Sequence, residues 1–300
     1  TTKKGIGPCY ADKIQRNGIR IQDLLDDEIF EEKVKKNVED KNQLLTKIYN
    51  KDPLNPAEII NEFKAYKDLI SNHVEDTSLL ISNALKENNN ILFEGAQGTL
   101  LDIDHGTYPF VTSSNTSSGN AATGSGVGPL NIDKIVGVTK AYISRVGSGP
   151  FITEQDNEIG DYLIEKGSEF GVVTGRRRRC GWLDLISLKY SVRVNSLSEL
   201  FITKLDVLSG LEELKLCISY QNGQETINDY PYEQNMLYSA KPVYETYEGW
   251  TEDITSVKNF DDLPENAKKY IKAIEKYIQI PITFISVGPE RNQNIVITDD

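Results

Sequence analysis

Cysteine, histidine and long apolar runs are all scarce in this sequence. Its 300 residues include three cysteines and two histidines, and no two cysteines have the spacing of a zinc knuckle or a redox motif. Neither histidine has a second metal ligand nearby at zinc-site spacing. We therefore expect no dedicated zinc site and a reduced compartment, the cytoplasm. No apolar run approaches the roughly 20 residues that cross a bilayer, which argues against a membrane partner.

Basic residues are also in deficit. Lysine and arginine number 33 against 45 aspartates and glutamates, a formal net charge of −12. An acidic surface repels phosphodiester backbones and anionic lipids, so bulk attraction to nucleic acid is excluded. Any anionic ligand must be bound by a local cluster of donors.

The chain is long enough for one large α/β core or for two to three subdomains. Polar breaks and helical periodicity alternate over residues 20–90. The clearest amphipathic helix has apolar residues at spacings of three and four, namely Ile59, Phe63, Tyr66, Ile70 and Val74. We assign residues 1–85 to a helical subdomain, 86–140 to a central sheet with ligand loops, and 141–300 to a C-terminal α/β region.

Short apolar runs bounded by polar or glycine-rich segments predict buried strands. They are residues 91–93, 135–138, 201–203, 216–218 and 282–285. Asn222-Gly223 predicts a tight turn, and residues 264–278 predict a helix with an apolar stripe of Ala267, Ile271, Ile274 and Ile278. The fold class is α/β with a mostly parallel central sheet.

Residues 106–128 are crowded with glycine, serine, threonine and asparagine. Such a composition is typical of a flexible linker. The segment lies between two predicted strands, however, and it is rich in hydroxyl and backbone N–H groups that can hold phosphate. We favour a ligand loop over a linker.

Four consecutive arginines, residues 176–179, stand out in this acidic chain. They are either a solvated basic face, a nucleic-acid tract or a site for small anions. Gly175 precedes them and Cys180-Gly181-Trp182 follows, so they lie in a loop next to residues that pack. Because a guanidinium binds carboxylate or phosphate with two hydrogen bonds, the cluster favours a small-molecule loop.

Two strand ends carry further candidates. Asp206 follows the predicted strand at 201–203, and Ser286-Val287-Gly288 ends the strand at 282–285. In α/β proteins ligands bind at the carboxyl ends of strands. Taken alone, Asp206 is better explained by a helix cap or a turn, and the glycine by a turn.

Four motifs together resemble the adenylosuccinate synthetase family, in order and at the family's spacing. They are Thr1-Thr2 followed by Gly5-Ile6-Gly7-Pro8, the run from Phe93 to Pro109, the segment from Gly175 to Trp182, and Thr203 to Asp206. The resemblance covers essentially the whole chain. It implies a central sheet of the P-loop-NTPase type and a ligase of purine nucleotide biosynthesis. In that reaction GTP phosphorylates the 6-oxygen of IMP, and L-aspartate then displaces the phosphate to give adenylosuccinate.

The resemblance also implies roles for individual residues. The residues implied to contact IMP are Thr2, Arg16, Gln97, Thr112 and Arg176. Those implied to close on aspartate are Val172, Val173, Thr174, Gly175, Arg176, Arg177 and Arg178. Those implied to bind GTP are Arg178, Lys204, Leu205, Asp206, Ser286, Val287 and Gly288. Arg16 would reach the IMP of the neighbouring subunit, which implies a homodimer.

In the family, a glycine-rich phosphate loop with the catalytic aspartate, and a catalytic histidine, precede the Thr-Thr motif. We therefore expect this sequence to be the downstream portion of a longer enzyme, with the catalytic residues and the ligands of a GTP-bound Mg²⁺ upstream of Thr1. If residues 1–300 were the whole natural chain, a non-catalytic nucleotide-binding module would be the better interpretation. A nucleic-acid binder using the arginines is the remaining and least favoured hypothesis.

Overall fold

The computed structural model describes residues 4–171 and 175–297. The chain forms two compact units. The helical unit comprises the described residues up to Glu94 with 112–115 and 124–127, and the sheet unit comprises 95–111, 116–123 and the described residues from Gly128 onward.

The helical unit is built from five helices. They are α1 (Ile6–Gln15), α2 (Ile21–Leu24), α3 (Asp27–Lys47), α4 (Pro56–Ile70) and α5 (Thr77–Lys86). Asp26, Asn55 and Asp76 cap α3, α4 and α5 by accepting backbone N–H bonds in the first turn. A small core holds the helices together and consists of Leu24, Phe30, Val34, Val38 and Ile60.

The predicted helix over residues 59–74 is confirmed as α4, which ends at Ile70. Val74 lies beyond it, after a 3₁₀ turn at Ser71–His73, so it is not part of the helical stripe. Ile60 is the buried residue of α4, while Phe63 and Tyr66 are exposed. Ile59 and Ile70 of the stripe are partly buried against the small core, so the apolar periodicity located the helix and part of its packed face.

The predicted strand at residues 91–93 is wrong. These residues belong to none of the described sheets, and Leu92 is 88% exposed. An apolar run forms a strand only when a neighbouring strand supplies hydrogen bonds. Within residues 4–171 and 175–297 no strand pairs with this run.

The sheet unit contains the described strands and the remaining helices. The strands are β1 (Val136–Lys140), β2 (Ile143–Arg145), β3 (Arg179–Gly181), β4 (Leu183–Asp184), β5 (Glu199–Thr203), β6 (Leu211–Asn222), β7 (Glu225–Ile227), β8 (Lys241–Trp250), β9 (Ile282–Ser286) and β10 (Asn294–Val296). The helices are α7 (Glu158–Lys166), α8 (Leu185–Asn195), α9 (Gln234–Ser239) and α10 (Glu265–Ile278), and the short α6 (Gly119–Ser125) runs into residues of the helical unit.

The central sheet has the strand order β1-β5-β9-β10. β5 runs parallel to both β1 and β9, and β10 closes the edge antiparallel to β9. The predicted mostly parallel α/β sheet is therefore confirmed. Because β1, β5 and β9 point the same way, the segments that follow them leave the sheet at one edge.

A second sheet joins β4, β6, β7 and β8, and β6 pairs with β8 over most of its length. β6 and β7 form the predicted hairpin, in which Asn222 pairs with Glu225. Its turn includes Gly223, whose φ of 62° favours glycine.

Helix α10 confirms the predicted stripe and covers the core of the sheet unit. Ala267, Ile271, Ile274 and Ile278 are buried together with Tyr270. The Tyr270 hydroxyl donates to the carbonyl of Ala141, just after β1, at 2.8 Å. Burial of these side chains holds the helix to the sheet and so keeps the strand ends in fixed positions.

Candidate active site

The predicted GTP residues lie side by side at the carboxyl edge of the central sheet. Ile202 of β5 pairs with Ile285 of β9, so the segments beginning at Lys204 and at Ser286 leave adjacent strands at the same level. Leu205 and Val287 are fully buried, so only their backbone groups can face a ligand. The parallel register thus brings both predicted GTP segments together.

Asp206 is half-buried in this edge. Its Oδ1 atom is buried and accepts no hydrogen bond from the described residues. Desolvation raises the pKa of Asp206, and the nearby Lys166 and Lys204 counteract the rise. A buried carboxylate oxygen without a donor costs free energy, so the position favours a ligand that brings N–H groups.

Lys204 has an uncommon backbone conformation for a lysine. Its φ is 59°, in the left-handed region, immediately after β5. Its ammonium group donates to the carbonyl of Gly167 at 2.5 Å and to Glu169 at 3.0 Å. Left-handed non-glycine residues cluster at functional sites because the surrounding structure must hold them there.

The arginine cluster is partly neutralised by carboxylates of the chain itself. Arg177 pairs with Asp161, Arg178 with Glu169 at 2.8 Å, and Arg179 with Glu154 through two nitrogens. Arg179 also donates to the carbonyls of Gly147 and Gly149. The cluster therefore combines structural ion pairs with the exposed Arg176 and with a buried Nε of Arg178 that no described residue contacts by hydrogen bonding.

Glu169 is a residue that the sequence did not single out. It is fully buried, and its carboxylate accepts from Lys140, Tyr142, Arg178 and Lys204. These partners are 29, 27, 9 and 35 residues away along the chain. No local sequence pattern marks a residue whose partners are so scattered.

The serine- and threonine-rich loop is organised by Asp102. The backbone N–H groups of Asp104, His105, Thr116 and Ser117 donate to this buried carboxylate. Desolvation raises its pKa, but the four backbone hydrogen bonds outweigh it and lower the pKa to about 2. These N–H groups are thus occupied by the protein itself, and the segment is an ordered loop.

The predicted IMP residues lie in both units. Gln97 belongs to the sheet unit and is exposed, with a left-handed φ of 62°. In the helical unit, Arg16 ends α1 with φ 65° and is exposed, and Thr112 is half-buried. Thr2 and the loop residues Val172, Val173 and Thr174 lie outside the described residues, and Gly175 has φ 61°.

No metal site is formed by the part of the chain that the structure describes. Within residues 4–171 and 175–297, no three histidine, cysteine, aspartate or glutamate side chains come together as metal ligands. The described helices also include none that is long and apolar enough to span a membrane.

Comparisons with known proteins agree with the motif order. The family model for adenylosuccinate synthetase matches residues 1–295. The adenylosuccinate synthetase of Halothermothrix orenii is 53% identical over 295 residues, 98% of this chain and 69% of that relative. That of Desulfatibacillum aliphaticivorans is 52% identical over 299 residues, covering 100% of this chain and 70% of the relative.

A solved structure is also similar. Fully ligated adenylosuccinate synthetase from Plasmodium falciparum superposes with a TM-score of 0.94 at 44% identity, over 99% of this chain and 70% of that one. Similarity at this level in sequence and in fold extends over the strand ends, the arginine loop and the helical unit alike. This chain belongs to the adenylosuccinate synthetase family.

Proposed function

We propose that GTP binds at the carboxyl edge of the central sheet, between the segments Lys204–Asp206 and Ser286–Gly288. The observation that carries the proposal is the parallel register of β5 and β9, which aligns these two segments. Asp206 offers a buried carboxylate oxygen without a donor. The N1–H and the N2 amino group of guanine form a donor pair that a carboxylate can accept, and adenine lacks this pair.

Two cations at the same edge offer further contacts to the nucleotide. The ammonium of Lys204 uses two of its donors on Gly167 and Glu169, and a lysine has three. The buried Nε of Arg178 is a second donor without a partner in the described chain. Both groups can donate charge-assisted hydrogen bonds to oxygen atoms of a bound nucleotide.

The reaction is the GTP-dependent ligation of IMP and L-aspartate. It yields adenylosuccinate, GDP and phosphate, the first committed step from IMP to AMP. Transfer of a phosphoryl group to the 6-oxygen of IMP converts a poor leaving group into a good one. The amino group of aspartate then displaces phosphate at that carbon. Cationic side chains fixed near the developing negative charge stabilise such a transition state.

For the other substrates we propose the residues that the family resemblance implies. IMP would contact Thr2, Gln97, Thr112 and Arg176, with Arg16 supplied by the second subunit of a homodimer. Aspartate would bind to the loop of residues 172–178. The exposure of Gln97 and Arg176 supports these assignments, because both residues have polar side chains at the surface of the described chain.

We further propose that Mg²⁺ accompanies GTP and that the enzyme works in the cytoplasm. Within residues 4–171 and 175–297 no three potential metal-ligand side chains come together. We assign no ligand to the ion and derive no step through it.

The guanine assignment is tested with Asp206→Asn in the full-length protein. An asparagine amide can donate to the 2-oxygen of xanthine but cannot accept both guanine donors. We expect the preference for GTP to fall and use of xanthosine triphosphate to rise, measured as kcat/KM for each nucleotide. Asp253→Asn is the control, because this exposed carboxylate affects Asp206 only through charge. An unchanged GTP preference in Asp206→Asn contradicts the assignment.

A further inference from the structure

The carboxylate of Glu169 joins three cations that come from three separate segments. Lys140, at the end of β1, donates to its two oxygens at 2.6 and 2.8 Å. Arg178 donates at 2.8 Å, and Lys204, just after β5, donates at 3.0 Å. The Tyr142 hydroxyl completes the set at 2.6 Å. Arg178 and Lys204 are thus held by one buried side chain.

The Glu169 carboxylate has few hydrogen-bond acceptor positions left for a further donor. A carboxylate has about four lone-pair sites, and the four donor groups make five hydrogen bonds to it. Desolvation raises the pKa of Glu169, but hydrogen bonds from Lys140 and Tyr142 outweigh it and lower the pKa to about 2. The residue therefore stays ionised and is suited to holding donors in place rather than to proton transfer.

The cations outnumber the anion in this cluster. Three formal positive charges face one negative charge. Desolvation and the nearby Lys204 and Arg178 lower the pKa of Lys140. Its contact with Glu169 counteracts this effect only in part. The excess positive charge attracts a further anion to Lys204 and Arg178. Without Glu169 the three cations would repel one another at close range in a poorly solvated place.

Glu169 also lies at the base of the arginine loop. The Arg178 N–H donates to the Glu169 carbonyl at 2.8 Å, and Phe170 and Arg177 form the next bridge outward. Lys204 donates to Gly167, two residues before Glu169. The same residue therefore fixes, by backbone and by side chain, both the root of the loop and the lysine at the strand end.

We propose that Glu169 is a positioning residue for GTP binding, which holds Lys204 and Arg178 in place for the nucleotide and ties the base of the arginine loop to these two cations. The proposal rests on the assignment of these two cations to GTP. It predicts that loss of the carboxylate weakens binding of both GTP and aspartate, although the hydrogen bonds of the carboxylate are made to the chain itself.

The test is Glu169→Gln in the full-length enzyme, with Glu199→Gln as the matched control. Glu199 is also a buried carboxylate of the sheet unit paired with a lysine, but it lies at the opposite end of β5. We expect Glu169→Gln to raise KM for GTP at least about tenfold and KM for aspartate in the same direction, as for the loss of a charge-assisted contact. Glu199→Gln should leave both constants within about twofold. A lowered melting temperature with unchanged KM values in Glu169→Gln would overturn the proposal.

Tyr142→Phe provides a second variant in case Glu169→Gln does not fold. It removes one hydrogen bond to Glu169 and keeps the ring packing. KM for GTP should rise about two- to fivefold, and an unchanged KM in this folded variant contradicts the positioning role.

A double-mutant cycle separates this proposal from the GTP assignment. If Glu169 acts through Lys204, the effects of Glu169→Gln and Lys204→Met on KM for GTP are not additive. Additive effects refute the positioning role while leaving the GTP site intact. If Lys204→Met alone leaves KM for GTP unchanged, the assignment of Lys204 to GTP is wrong, and the positioning role fails with it.

Discussion

Glu31 in the helical unit and Glu169 in the sheet unit are two carboxylates with the same perturbed pKa in different surroundings. Hydrogen bonds from Lys64 and Lys35 lower the pKa of Glu31 to about 2, and that of Glu169 is also about 2. The Glu31 side chain is 34% exposed, whereas that of Glu169 is fully buried. A pKa shift alone therefore does not mark a functional site. Burial is what distinguishes Glu169 from Glu31, and it is the ground for the proposed positioning role.

The two units also differ in how they are held together. The helical unit has a small core and surface ion pairs, such as Lys64 and Lys67 with Asp27. The sheet unit has one extensive core behind the strand ends. Substitutions in the sheet unit should therefore cost more free energy, and those near the strand ends should also change ligand binding.

The largest expected effect is on the core. Leu214→Ala in β6, where the side chain is fully buried, should lower the free energy of unfolding by about 4 kcal/mol, near the upper end for such changes, because a dense core cannot collapse around the cavity. Leu24→Ala in the helical core should cost about 2 kcal/mol, since fewer buried neighbours are lost. Urea unfolding measures both. Leu130→Ala, at a side chain 96% exposed, is the control, and equal losses at Leu214 and Leu24 would contradict the comparison.

Acid should destabilise the sheet unit through Asp102. Its folded pKa is about 2 against an ordinary value of 3.8, so its stabilisation is complete above about pH 5 and is lost as the pH falls through the folded pKa. The lost free energy is about 2 kcal/mol. Asp102→Asn should flatten the pH dependence of unfolding over this window, while Asp52→Asn, at an exposed position, should not. An unaltered acid transition in Asp102→Asn would count against the role of this carboxylate.

Replacing Arg176 by leucine tests the arginine loop. We expect kcat/KM for IMP and for aspartate to fall about thirtyfold because a charge-assisted contact is removed. This factor corresponds to on the order of 2 kcal/mol. Arg193→Leu is the control, because Arg193 is an exposed arginine that forms a surface ion pair with Asp229 at 3.7 Å. Equal kinetics of the two variants would remove Arg176 from the site.

The sequence predicted what local patterns determine. Helices α4 and α10 follow from apolar spacing, and β5 and β9 from short apolar runs with ligand residues directly after them. The run at residues 91–93 failed as a strand because a strand depends on its neighbour. Glu169 was missed because its partners come from distant segments, and the carboxylates that pair with Arg177 and Arg179 could not be identified from spacing.

The smallest effect should come from the surface pairs of the helical unit. Lys64→Met removes the contacts to Glu31 at 2.8 Å and to Asp27 at 3.6 Å. Exposed ion pairs contribute little, because water screens the charges and both side chains lose rotamer freedom, so the loss in unfolding free energy should stay below about 1 kcal/mol.

At 1 M salt, where the screening length is about 3 Å, the difference in unfolding free energy between Lys64→Met and the parent protein should vanish. Glu169→Gln, by contrast, should keep its effect on KM for GTP, relative to the parent at the same ionic strength, because buried pairs are screened much less. A salt-resistant loss in Lys64→Met would mean that the helical unit, like the sheet unit, depends on a buried charge.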